Sequence, residues 1–112
     1  MTSAPTFLGI LGSSLSHSLS PVMFRTLLPR MLPGATYHPF PTKPEDLETF
    51  MKSVQTVGLR GFNVTTPYKE AVIPYLDSLS PDAQEIGAVN CVVVEGDGSM
   101  VGHNFDGPDF FS

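Results

Sequence analysis

The chain has little positive charge. Lys and Arg together number 6 in 112 residues, against 11 Asp and Glu, for a formal net charge of −5. That balance argues against a nucleic-acid partner, because phosphate binding calls for a basic face, and it disfavours an anionic membrane surface. Cysteine is nearly absent. Cys91 stands alone, so no intrachain disulfide can form, and Val92, Val93 and Val94 beside it mark a buried strand thiol. Such usage fits a reducing, cytoplasmic compartment. Long apolar runs are missing too. Nothing approaches the ~20 residues of a membrane span, and Phe7-Leu8-Gly9-Ile10-Leu11 is too short, and lacks the basic lead, for a secretory signal. His17, His38 and His103 share no metal-ligand spacing, so no metal site is expected. Repeats, low-complexity segments and charge runs are not seen.

Glycine and proline, by contrast, are plentiful at 10 and 11 residues, and they divide a single small domain into short segments. Residues 7–11 read as a buried strand closed by Gly12, followed by a polar loop over 13–20. Ser20-Pro21 reads as a helix start, with Met23, Phe24, Leu27 and Leu28 on one face. A strand is expected over 36–40 and a helix over about 44–57, with Leu47, Phe50, Met51 and Val54 at helical spacing. Residues 59–64 read as a strand, 68–76 as a short helix interrupted near Pro74, and Ser80-Pro81 as the start of a helix ending at Gly87. Residues 89–95 and 100–105 form a hairpin around Gly96-Asp97-Gly98. Alternating strands and helices closed by a hairpin predict an α/β fold. The expected form is a three-layer α-β-α sandwich on a mostly parallel sheet with one antiparallel strand. Ligands of such sheets sit outside the carboxyl ends of the strands, and the polar motifs at 13–20, 63–69, 87–90 and 102–107 all fall beside strand ends.

Each motif supports two readings. Ser18 and Ser20 alternate around Leu19, so both hydroxyls can face one side beside a helix N-terminus that favours an anion such as a carboxylate. Equally, Ser20 is an N-cap and Ser18 a loop residue. Lys69 follows Asn63-Val64-Thr65-Thr66-Pro67-Tyr68 just past a strand. It is either a solvated charge at a helix start, slightly unfavourable against the dipole, or a catalyst that exchanges a proton while an alcohol becomes a ketone. Asp106, in Asn104-Phe105-Asp106-Gly107, is either an Asx-turn residue or the partner that keeps Lys69 charged. Asn63, Thr65 and Asn90 either tie down loops or hydrogen-bond a polyhydroxylated ligand.

In combination these segments resemble the substrate-binding domain of shikimate dehydrogenases. The resemblance rests on Ser18-Leu19-Ser20-Pro21, on Asn63 to Lys69, on Gly87-Ala88-Val89-Asn90 and on Asn104-Phe105-Asp106-Gly107, in the family's order and spacing. It implies the amino-acid dehydrogenase-like N-terminal fold over 1–107, with 108–112 beginning a linker. It also implies that Ser18 and Ser20 bind the substrate carboxylate, that Thr65, Asn90 and Asp106 hydrogen-bond ring hydroxyls, and that Lys69 and Asp106 form the acid/base pair. The implied reaction is NADP(H)-dependent reduction of 3-dehydroshikimate to shikimate. Ser13-Ser14 stands where the family has Asn-Pro, and Phe105 where it has Thr, which leaves room for quinate or another cyclitol acid. No Gly-rich dinucleotide fingerprint occurs. The NADP-binding domain is therefore expected to be a missing partner and the chain alone inactive, as a fragment. The apolar Phe110-Phe111 tail or a sheet edge offers surface for a homodimer. A non-catalytic binding module is the alternative.

Overall fold

The computed structural model describes residues 7–13 and 36–105. Among these residues six strands form one sheet: β1 (Phe7–Gly12), β2 (Thr36–Pro41), β3 (Leu59–Val64), β4 (Ser78–Leu79), β5 (Cys91–Val94) and β6 (Met100–His103). Their order is β2-β1-β3-β5-β6-β4. Every neighbouring pair is parallel except those made by β5, which runs against both β3 and β6. The expected sheet, mostly parallel with one reversed strand, is the one observed. The edge strand β2 contains Pro39 and Pro41, which a strand paired on one side can accommodate.

Helix α1 (Leu47–Val57) follows a single 3-10 turn at Pro44–Asp46, so the helical segment begins where the sequence placed it but tightens at its start. Its apolar spacing turns Leu47, Met51 and Val54 inward. The helix stops at Gly58, whose φ of 89° a side-chain-bearing residue adopts only with strain. Helix α2 (Pro81–Ile86) carries the anticipated caps: the Ser80 hydroxyl oxygen accepts the Ala83 N–H at 3.2 Å, and Gly87 ends the helix.

Both helices feed one core. Leu11, Phe62, Val64, Val92 and Val94 of the sheet pack with Leu47, Met51 and Val54 of α1 and Ala83 of α2. Phe50 links them, its ring centroid 5.4 Å from both Phe40 and Phe62. Leu8, Ile10 and Cys91 are buried as well. Leu8 and Cys91 form a second cluster joined by Tyr37 and Phe105. Strand alternation assigns the two clusters to opposite faces, so the sheet is an interior layer with apolar side chains on both sides.

Two segments differ from the sequence reading. β4 has only two residues, too few to show an alternating pattern, and exists because it pairs with β6. Residues 68–76 form no α-helix. One α-type bond, from Val72 N–H to Tyr68 carbonyl, gives way to a 3-10 turn at Ile73–Tyr75. Pro74 has no N–H to continue an α-helical ladder, and the bonds that follow span three residues instead of four.

Candidate functional site

Strand direction gathers the polar motifs. β1, β3 and β6 end at the same edge of the sheet at which the reversed β5 begins: Asn63 pairs with Cys91, and Cys91 with His103. Thr65 therefore follows β3, Asn90 precedes β5 and Asn104 follows β6, all along one margin.

The loop after β3 is fixed at both ends. The Thr65 N–H donates to the Leu11 carbonyl at 2.9 Å, carrying the β1–β3 ladder one residue further. The Thr66–Pro67 peptide bond is cis. Tyr68 is then buried, with its hydroxyl donating to the Thr42 carbonyl, and burial raises its pKa above the ordinary phenol value. Lys69 comes immediately after this anchor and is half-buried. With no α-helix beginning here, the unfavourable dipole position considered for Lys69 does not arise.

The turn before β5 is tied to that loop. The Lys69 carbonyl accepts the N–H of Val89 at 2.8 Å. Asn90 donates its N–H to the His103 carbonyl at 2.9 Å, and its own carbonyl accepts the Val64 N–H at 2.9 Å. Asn104 braces the same turn from β6, Nδ2 to Ala88 carbonyl at 3.0 Å. The Asn90 side chain closes the set: Oδ1 accepts the Phe105 N–H at 3.0 Å. A backbone N–H only donates, so the atom facing it is the amide oxygen and the amide orientation is chemically determined. The Nδ2 group of Asn90 and the hydroxyl of Thr65 have no hydrogen-bond partner among the described residues. Thus Lys69, Thr65, Asn90 and the residue preceding Asp106 are held by one hydrogen-bonded lattice.

Asn63 is different. It is 1% exposed, its Oδ1 accepts from the Tyr37 hydroxyl at 2.6 Å, and its Nδ2 donates to the Asn90 carbonyl at 3.3 Å. Of the two roles open to it, the observed one is a buried tie. Tyr37 falls in the strand expected over 36–40, and sequence reasoning gave its hydroxyl no role. The available signal was that a buried tyrosine needs a partner for its polar tip. Burial first, and Cys91 second, push the Tyr37 pKa well above its ordinary value, so it remains a neutral donor. Phe105 packs on the Leu8–Cys91 cluster and stacks on His103, centroids 5.4 Å apart and planes 10° apart. Ser18, Ser20 and Asp106 lie outside the described residues.

The described margin thus brings together the Lys69 side chain, the Thr65 hydroxyl and the Asn90 amide, groups suited to a small hydroxylated molecule. Among the described residues no group of His, Cys, Asp and Glu can hold a metal ion, and no helix is long and apolar enough to cross a membrane. A family model described as the shikimate dehydrogenase substrate binding domain matches residues 10–92.

The chain belongs to this family.

Among related members, the shikimate dehydrogenase (NADP(+)) of Geobacter metallireducens is 46% identical over 110 residues, covering 98% of this chain and 38% of the relative. The crystal structure of shikimate 5-dehydrogenase from Listeria monocytogenes in complex with shikimate and NAD superposes with a TM-score of 0.81 at 33% identity, covering 99% of this chain and 38% of that one. Quinate dehydrogenase from Corynebacterium glutamicum in complex with NAD superposes with a TM-score of 0.76 at 35% identity, covering 91% and 38%. This member of the shikimate dehydrogenase substrate-binding family therefore spans less than half the length of the relatives it matches.

Proposed function

We propose that the chain is the substrate-binding part of an NADP-dependent shikimate dehydrogenase. The whole protein would interconvert 3-dehydroshikimate and shikimate in the cytoplasm. The observation that carries this reading is the lattice joining Lys69, Val89, Asn90 and Phe105, because it holds a lysine, an amide donor and the backbone leading to Asp106 at one sheet margin.

The roles follow from the groups. Thr65 and the Asn90 Nδ2 donate to ring hydroxyls. Ser18 and Ser20 take the carboxylate. Lys69, with Asp106 as its acid/base partner, donates to the substrate oxygen as the carbonyl becomes an alcohol and recovers that proton in the reverse direction. The hydride would come from a nicotinamide cofactor when one is bound. The described residues do not fit it: Gly9 lies within β1, not in a turn after it, and a Cβ there would meet the Phe40 ring at 2.5 Å, so this glycine makes room for an aromatic side chain. A second, dinucleotide-binding domain therefore has to bring the cofactor to this margin.

The test is titration of the 112-residue chain with shikimate and with quinate, followed by backbone and side-chain amide shifts. Shifts centred on Thr65, Lys69 and Asn90 are expected, larger for the preferred acid. Absence of shifts with both acids at millimolar concentration rejects the reading.

A further inference from the structure

Tyr37 sits on the edge strand β2, two strands away from the lattice that holds Lys69 and Asn90. It reaches that lattice through one intermediary. β2 pairs with β1 in a register that sets Tyr37 opposite Leu8, and β1 pairs with β3 so that Ile10 lies opposite Asn63. The tyrosine ring packs on the Leu8–Cys91 cluster, and its hydroxyl donates to Asn63 Oδ1 at 2.6 Å. A hydroxyl hydrogen bonded to the amide oxygen turns the amide nitrogen of Asn63 the other way, and there it donates to the Asn90 carbonyl. Asn90 in turn accepts the Phe105 N–H.

We propose that Tyr37 is a positioning residue of the substrate site, acting through Asn63 to set the orientation of Asn90 and, through it, the backbone entering Asp106. The proposal rests on the function assigned above for its consequence in binding, and on geometry alone for its structural part. Asn63 is a two-ended linker: the Asn90 carbonyl only accepts and so takes the amide nitrogen, and the phenol fixes the oxygen end. With the phenol present, the oxygen is held toward β2 and the nitrogen toward the turn. Without it, the buried oxygen loses this donor, and the amide that meets the Asn90 carbonyl is held less firmly. Burial keeps the phenol protonated, so the donor persists across the neutral and mildly alkaline range.

Tyr37→Phe keeps the ring packing and removes the hydroxyl that donates to Asn63. Two readouts are taken on the 112-residue chain: hydrogen exchange of individual backbone amides without ligand, and the dissociation constant for shikimate. Tyr37→Phe is expected to speed exchange of the Phe105 N–H, leave the Leu8 and Phe62 amides at wild-type rates, and weaken shikimate binding by about tenfold, with shift changes focused on the Asn90 side-chain amide. Unchanged Phe105 exchange overturns the proposal, and so does a uniform acceleration across the sheet, which is the mark of a merely structural tyrosine. If the wild-type chain binds no shikimate, the functional reading fails, while the Phe105 exchange rate still decides the role of Tyr37.

Discussion

Val89 donates its backbone N–H to the carbonyl of Lys69 at 2.8 Å, joining two loops that belong to different strands. The bond uses the main chain of Lys69, which a side-chain substitution leaves in place.

Lys69→Ala is accordingly expected to change unfolding free energy by less than about 1 kcal/mol. In the chain joined to its cofactor domain, it should lower the rate of NADPH oxidation with 3-dehydroshikimate by about 10²–10⁴-fold. Urea denaturation and steady-state kinetics on the same variant separate the two. A large loss of stability would show that the side chain, not only the carbonyl, holds the loop.

Asn90→Ala should do both kinds of damage. It removes the acceptor for the Phe105 N–H at a residue only 7% exposed, and it removes the amide donor proposed for the ligand. The expected cost is about 1–3 kcal/mol of stability, together with weaker shikimate binding. Calorimetric titration beside a denaturation curve checks it, and wild-type affinity in a destabilised variant would remove Asn90 from the ligand contacts.

Gly102→Ala probes packing behind the site. A Cβ there would lie 2.6 Å from Leu76 Cδ1, 2.7 Å from Val89 Cγ2 and 2.9 Å from Leu79 Cδ2. Overpacking of this kind costs about 1–3 kcal/mol. Because Val89 must move, the Lys69 loop should move with it, read as shifts of the Lys69 and Glu70 amides. Gly96→Ala, where a Cβ meets nothing within 4 Å, is the control and should leave those amides unmoved.

Alkaline stability should fall because of two tyrosines. The folded-state pKa values of Tyr37 and Tyr68 are both raised, chiefly by burial. A raised folded pKa contributes stability that is complete below the unfolded value near ~10 and is lost as pH rises beyond it. Unfolding free energy should therefore be insensitive to these groups between pH 7 and about 9 and decline above about 10. Denaturation curves across that range show the decline, and it should be smaller in Tyr37→Phe.

Much of the fold was legible because its signals are local. The Ser80-Pro81 start and Gly87 stop of α2, the Leu47, Met51 and Val54 stripe of α1, and the Gly96-Asp97-Gly98 hairpin each depend on residues a few positions apart. β4 was not legible, since two residues have no period. The turns over 68–76 were misread because the spacing suits a helix while Pro74 withholds the N–H that one needs. At the site, the motifs pointed to Lys69, Thr65 and Asn90. The tie from Tyr37 to Asn63 stayed hidden because it depends on the register of β2 on β1 and of β1 on β3, which no single segment encodes.

The two prolines of β2 also govern how one molecule meets another. They lie two positions apart, so their nitrogens point the same way, and the unbroken register with β1 requires that way to be outward. Of the outward nitrogens at Tyr37, Pro39 and Pro41, only that of tyrosine carries a hydrogen. A stray extended segment arriving at this margin finds carbonyl acceptors but only one backbone donor, too few for a regular ladder. Crowded copies are thereby discouraged from fusing into a continuous ribbon along β2, and among the described residues the other sheet margin is the two-residue β4.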